Sequence, residues 1–270
     1  MKAYFDQNIW EYIINKIPAS KFKNKLKLNK IDVCLGLHNI YEFGRCFLDE
    51  KDINNIRHGK KVFQYLSDID IIYFIKPTNE LIDSDLVYAI TGGRILPYLD
   101  KINTVAAKEE ICRLASGYCD RAQGFIQNRE NGLTKSASLY RSTVIRLNIG
   151  VKKPKDFNIL RNDWGYRRSI LDGSGFDKKT RNISNSRLFS KPEKYPYLNT
   201  YINAQLYFNF IALTSYQGPS KKSTSDYRHL IDANATDLFV TKDKRMKNNS
   251  LKIVPFLKIY SLDEFKSIIS

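Results

Sequence analysis

The stretch SDYRHLIDANATDLFVTKDKRM, residues 225–246, decides how this chain is read. Residues 224–235 read as a helix, and LFVT (238–241) as a short apolar strand. Two acids bracket the unit. Asp226 opens the helix, and Asp243 follows the strand within two residues. The continuation resumes the alternation, with LKIVPF (251–256) expected as a strand and LDEFKSII (262–269) as a helix.

The other end of the chain repeats the pattern. KAYF (2–5) is a strand. Asn8 is placed to cap a helix whose Ile9, Tyr12, Ile13 and Ile17 recur at helical spacing and which Pro18 ends. IDVCLGL (31–37) is a buried strand, and HNIYEFGRCFL (38–48) returns to helix. From Asp52, the residues Ile53, Ile56, Val62, Phe63, Tyr65 and Leu66 mark another helix. DIIYFI (70–75) is a third strand or a bridging extended piece, stopped by Pro77. Alternation in both flanks predicts an α/β fold with a central parallel sheet. The middle, about 80–220, reads mostly helical with a loop-rich basic stretch at 150–195. Residues 1–95 and 221–270 are thus expected to form the core, and 96–220 a helical, basic insertion or cap.

The acids give this fold a chemistry. Ligand sites of parallel sheets form beyond the carboxyl ends of the strands. Asp6 follows the first strand, Glu42 sits on the helix after the second, Asp226 precedes the next strand and Asp243 follows it. Singly, Asp6 and Asp226 also suit helix caps, and Asp243 an Asx turn. Together they place four carboxylates on one rim. Such a cluster repels itself and raises its own pKa values unless a cation relieves it. Mg²⁺ or Mn²⁺ prefers oxygen ligands of this kind.

Asp6-Gln7-Asn8, Glu42 in HNIYEFGRCF, the 225–246 stretch with its Thr-x-Asp, and KIYSLDEFKSII together resemble a PIN-domain nuclease. The resemblance covers roughly residues 1–75 and 222–270. It implies a PIN-like three-layer fold and a metal-dependent phosphodiesterase, usually cutting RNA and sometimes structured DNA. On it, Asp6, Glu42, Asp226 and Asp243 match the acids that hold Mg²⁺ or Mn²⁺. Asn8 and Thr241 match polar residues that keep the cluster in place, and Asp237 matches an acid just behind it. The expected activity is that of an endoribonuclease, with a toxin or defence effector restrained by a protein partner as one setting. The rival readings are a structure-specific DNA nuclease and a catalytically silent RNA-binding or scaffold protein.

Charge and composition narrow the setting. The 270 residues carry 44 Lys or Arg against 28 Asp or Glu, a formal net charge of +16. Between Arg121 and Lys194 there are seventeen basic residues and six acidic ones. This favours a polyanionic partner, nucleic acid and RNA above all, with Lys152, Lys153, Arg161, Arg167 and Arg168 on phosphates and Trp164 or Tyr166 stacking on bases. His229, one helical turn from Asp226, is a candidate carboxylate partner or phosphate contact, and His38 stands in the same relation to Glu42. Three scattered histidines give no zinc signature. Cys34, Cys46, Cys112 and Cys119 lack CxxC spacing and read as reduced thiols. No apolar run is long enough to span a membrane, and the Asp at position 6 argues against export, so a cytoplasmic protein is expected.

Overall fold

A computed structural model describes residues 1–48, 52–147, 156–215, 220–254 and 256–269. Lys152 and Lys153 lie outside the described residues. The elements run β1 (Lys2–Phe5), α1 (Gln7–Lys16), α2 (Ala19–Leu28), β2 (Asp32–Leu35), α3 (Leu37–Gly44), α4 (Ile53–Ile69) and β3 (Tyr73–Phe74). A helical series follows: α5 (Thr78–Thr91), α6 (Lys101–Ser116), α7 (Asp120–Leu147), α8 (Phe157–Asn162), α9 (Trp164–Gly173), α10 (Asp177–Thr180), α11 (Asn185–Phe189), α12 (Pro196–Ser215) and α13 (Lys221–Ala233). The chain closes with β4 (Leu238–Val240), α14 (Lys244–Ile253), β5 (Ile259–Tyr260) and α15 (Leu262–Ile268). No helix among the described residues is long and apolar enough to cross a membrane.

The five strands form one all-parallel sheet in the order β3-β2-β1-β4-β5. Tyr4 pairs in register with Cys34 on one side and Phe239 on the other. The chain works outward from β1 to β3, then returns beside β1 with β4. The strand order therefore reverses between β1 and β4, and the crevice at their carboxyl ends is where a parallel sheet accepts a ligand.

Side chains alternate across the sheet, so each strand feeds two cores. Ala3, Phe5, Val33, Leu35, Leu238 and Val240 face the core built by α1–α4, α6, α7 and α15. Tyr4, Cys34 and Phe239 face a second core built by α5, α8, α9 and α11–α14. An aromatic cluster anchors the first. Trp10 lies edge-on to Phe5 with ring centres 5.3 Å apart, and Phe265 meets the same ring at 4.9 Å. Rings of this size dominate burial energetics, and their edge-to-face contacts add about 1 kcal/mol each.

Three expectations change in the structure. The helix after β1 is capped by Asp6, whose side chain accepts from the Ile9 N–H, and not by Asn8. Residues 251–253 belong to α14 and not to a strand. Asp243 caps that helix, and Met246, Ser250 and Ile253 bury at helical spacing; the last strand comes later, at Ile259. A helix absent from the sequence reading, α2, fills the link to β2 by burying Phe22 and Leu26. Residues 96–220 contribute to both cores. Ile111 and Leu114 of α6 join the first core, while Leu198, Ile202 and Leu206 of α12 join the second.

Candidate functional site

At the carboxyl edge of the sheet lies a cavity of about 310 Å³ lined by Asp6, Glu42, Asp226, Asp243, His229 and Ser225, with Gln7, Asn8, Tyr41, Arg45, Leu133 and Met246 completing the wall. Asp6 extends the β1–β4 ladder, its N–H donating to Val240 O at 3.1 Å. Its Oδ1 then accepts from Ile9 N–H at 3.0 Å, while Oδ2 accepts from the Thr241 hydroxyl. Thr241 Oγ1 also accepts from Asp243 N–H at 3.0 Å, and Asp243 Oδ1 accepts from Met246 N–H at 3.0 Å. Two short polar residues after β4 thus start α14 and hold its cap beside Asp6. Burial raises the Asp6 pKa, and the Thr241 hydrogen bond opposes that rise.

The turn between β2 and α3 is stitched to the same edge. Asn39 Oδ1 accepts from Gly36 N–H at 3.1 Å, and its Nδ2 donates to Phe5 O at 3.0 Å. This fixes α3, which presents His38 and Glu42 one turn apart. Helix α13 brings Ser225, Asp226, His229 and Asp232 along one side by their i, i+1, i+4, i+7 spacing. Asp226 lies in the second turn of that helix; the N-cap is Ser220, which accepts from Ser223 N–H.

Glu42 is held from both sides. His229 Nε2 donates to its Oε2 at 2.9 Å, and Ser225 Oγ donates to its Oε1 at 3.2 Å. His38 Nε2 sits 2.6 Å from Ser225 Oγ. The one hydroxyl proton of Ser225 points at Glu42, so His38 donates to Ser225, which leaves the buried Nδ1 of His38 without a partner. On its other nitrogen, His229 meets the Tyr4 hydroxyl at 2.7 Å. Behind Tyr4 lies Asp232, whose carboxylate packs so closely over Gly36 that an added Cβ would fall 2.3 Å from Oδ2. A side chain at position 36 would force the Asp232 carboxylate to shift.

Charge follows this geometry. For His229, burial alone would lower the pKa, but Glu42, Asp6 and Asp232 outweigh it and bring it up to about 9. Burial would raise Glu42, yet the His229 imidazolium holds it well below the usual carboxylate range. Burial, reinforced by His229, lowers His38 to about 3, so His38 is neutral. Burial raises Asp232 to about 6. Glu42 and His229 are accordingly an ion pair, and His38 stands beside them uncharged.

Two donor sets suit a metal. Asp6, Asp226 and Asp243 offer carboxylate oxygen on the cavity wall, the chemistry that Mg²⁺ or Mn²⁺ takes, and Glu42 joins them. Glu42 also belongs to a second group: among the described residues, His38, Glu42 and His229 offer ligand atoms all within 4.8 Å of one another. The four carboxylates share a cavity without forming so tight a cluster. His38 also keeps one buried nitrogen, Nδ1, without a hydrogen-bond partner among the described residues.

The structure does not place the other expected residues alike. Asn8 lines the cavity. Asp237 lies at the opposite, amino-terminal edge, exposed, with its carboxylate accepting from Lys2 N–H at 2.6 Å. It precedes β4, so the strand's length separates it from Asp243. Arg167 is buried, not presented to a ligand. Its guanidinium donates to Arg161 O at 2.9 Å, to Asn203 Oδ1 at 2.8 Å and to Asn199 Oδ1, and it stacks over Phe189. Arg168 donates to Asp172 and to Ile183 O, and Arg161 to Lys252 O at 3.1 Å. These three arginines tie helices together. Trp164 and Tyr166 are exposed. Sequence reasoning passed over Ser225, Tyr41 and Arg45. The available signal was spacing: Ser225 lies one turn before His229, and Arg45 one turn after Glu42.

Comparison with known proteins finds no matching family model, no matching curated protein and no matching solved structure.

Proposed function

We propose that this chain is a PIN-like, metal-dependent nuclease that hydrolyses phosphodiester bonds, with RNA as the favoured substrate. One observation carries the reading. Four acids from four separate segments line a single cavity where a parallel sheet reverses its strand order. Asp6, Asp226 and Asp243, with Glu42 as the fourth, would hold Mg²⁺ or Mn²⁺, and such an ion lowers the pKa of bound water and offsets charge that builds on a phosphate. Thr241 keeps Asp6 oriented. His229 holds Glu42 in one rotamer and charges the wall of the cavity. Cytoplasmic location and a restraining protein partner belong to this proposal and rest on the sequence.

A silent binding protein is the second reading, and the Glu42–His229 ion pair favours it, because one acid of the set already has a cation beside it. The two separate in one experiment. Mixed RNA and DNA are incubated with the protein and Mg²⁺ or Mn²⁺, with and without EDTA, beside an Asp6→Asn variant. Cleavage of RNA that EDTA and the substitution both abolish supports the nuclease. Cleavage of structured DNA alone moves the substrate to DNA. No metal-dependent cleavage of either leaves the silent reading.

A further inference from the structure

The acids account for one part of the cavity wall. Tyr41 forms another part, with Arg45 beside it. Arg129 stands on α7 one turn before Leu133, which lines the cavity; Arg228 stands on α13 beside His229, which also lines it. Helices α7 and α13 pack against each other, so the two arginines converge from neighbouring elements.

Their surroundings differ from those of every arginine that the structure uses as a strut. Among the described residues, neither Arg129 nor Arg228 makes an ion pair or a hydrogen bond, and the Nε of each is buried with no partner. A buried donor left unmade costs about 1–3 kcal/mol. Burial and the neighbouring charge of Arg228 bring the Arg129 pKa down to about 10, with Asp232 opposing. Arg228 has only the face of Tyr227, 5.5 Å away. Arg45 is held at the rim by Glu130 at 3.5 Å, and Glu130 also accepts the Tyr41 hydroxyl. Two like charges with idle donors are therefore kept together beside a cavity rich in acid.

We propose that Arg129 and Arg228, with Arg45 at the rim, form a phosphate clamp that takes the phosphodiester groups of a nucleic-acid strand lying in this cavity. The guanidinium fork matches phosphate oxygens two at a time, and its donors are then satisfied. A strand held there lies beside the carboxylates, where a metal meets a phosphate. The inference rests on the nuclease reading for the identity of the ligand, but binding does not require cleavage. It also moves the main nucleic-acid contact away from Arg161, Arg167 and Arg168, which are committed to the fold.

The test is equilibrium binding of labelled 12-nucleotide single-stranded RNA and DNA in EDTA, followed by anisotropy over a salt series. The double variant Arg129→Gln/Arg228→Gln is expected to weaken binding at least tenfold and to lower the salt slope by about 1.4, two phosphates' worth for a single strand. Arg129→Lys/Arg228→Lys keeps the charge without the fork and is expected to fall between. It also decides the matter if the Gln pair does not fold. Arg181→Gln/Arg187→Gln, at exposed positions of the middle segment, is expected to change affinity less than threefold. RNA bound more tightly than DNA names the source of the phosphates as RNA; equal affinity makes the clamp indifferent to the sugar. Unchanged affinity in a folded Gln variant, in the Lys variant where the Gln pair does not fold, or an equal loss in the exposed control overturns the clamp. A protein that binds through these arginines yet cuts nothing keeps the clamp and loses the nuclease; one whose Gln variant binds and cuts as before does the reverse.

Discussion

Two buried polar networks stand on the same side of this protein's logic and do opposite things. Around Arg167, one cation meets Asn199, Asn203 and the Arg161 carbonyl under the ring of Phe189. Around Glu42, a carboxylate, two histidines, a serine and a tyrosine meet at the wall of a cavity, with three more acids across it. The first network is closed, apart from one Nε. The second opens onto a cavity whose wall it shares with three further acids. Burial of polar groups does not mark a site by itself; an opening onto a shared, acid-lined cavity does.

The sharpest break of this comparison is Arg167→Leu. Removing the guanidinium strands three acceptors and empties the contact with Phe189. At about 1–3 kcal/mol for each lost buried partner, the loss is on the order of 5 kcal/mol. Urea denaturation should show the variant unfolded or close to it. A variant within 1 kcal/mol of the parent would mean that the network is not structural.

A buried acid away from the cavity comes next. Asp85 accepts from Leu198 N–H at 2.8 Å at the start of α12, and burial raises its pKa to about 7. Its folded pKa lies above the unfolded value, so the native state binds the proton more tightly. Stability from this group is highest below about pH 4 and falls as pH rises to about 7, where the cost of burying the charge is complete. Asp85→Asn copies the protonated form. Its stability relative to the parent should rise across that window by about 3–4 kcal/mol. Denaturation at pH 4, 5.5 and 8 measures the difference, and a flat difference would refute the assignment.

The third test reverses the first. Asp6→Asn removes a charge and keeps the shape. Cleavage should fall at least about a hundredfold, about 2.7 kcal/mol of barrier. Stability should hold or increase, since a buried acid among acids loses its charge while the amide oxygen still accepts from Ile9 N–H and the amide N–H₂ donates to the Thr241 hydroxyl. Activity lost with stability kept is the signature of the open network.

These differences mark what a sequence displays. Strands β1 and β4 were legible because each is a short apolar run ended by a polar residue, β2 because of its apolar run around Val33 and Leu35, and the parallel sheet followed from the alternation. The 251–254 segment misled because Leu251, Ile253 and Val254 also suit a strand; Asp243 as a cap and the Met246–Ser250–Ile253 spacing decide for helix. Arg167 misled because net charge does not tell a solvated guanidinium from a buried one. The Asn199 and Asn203 that bind it lie more than thirty residues away and carry no pattern. The four acids were legible as residues at strand ends. The pairing of Glu42 with His229 was not, since it depends on how α3 and α13 face each other.

The smallest expected effect is the most discriminating. Asp237 belongs to the same 225–246 stretch as Asp226 and Asp243, yet it lies at the amino edge of β4, bonded to Lys2 N–H. Register forces this: Leu238 pairs with Ala3, so the residue before β4 meets the residue before Ala3, and Asp243 emerges at the far end. Asp237→Ala removes one hydrogen bond at an exposed position, worth about 1 kcal/mol. The Lys2 N–H can turn to water, which keeps the loss small. Metal-dependent cleavage should match the parent within twofold, because the length of the strand separates this carboxylate from the cavity. Parallel assays of Asp237→Ala and Asp6→Asn then read the two edges of the sheet against each other. A hundredfold loss from Asp237→Ala in a folded protein would put the acid at the active edge and break the register on which the whole site is built.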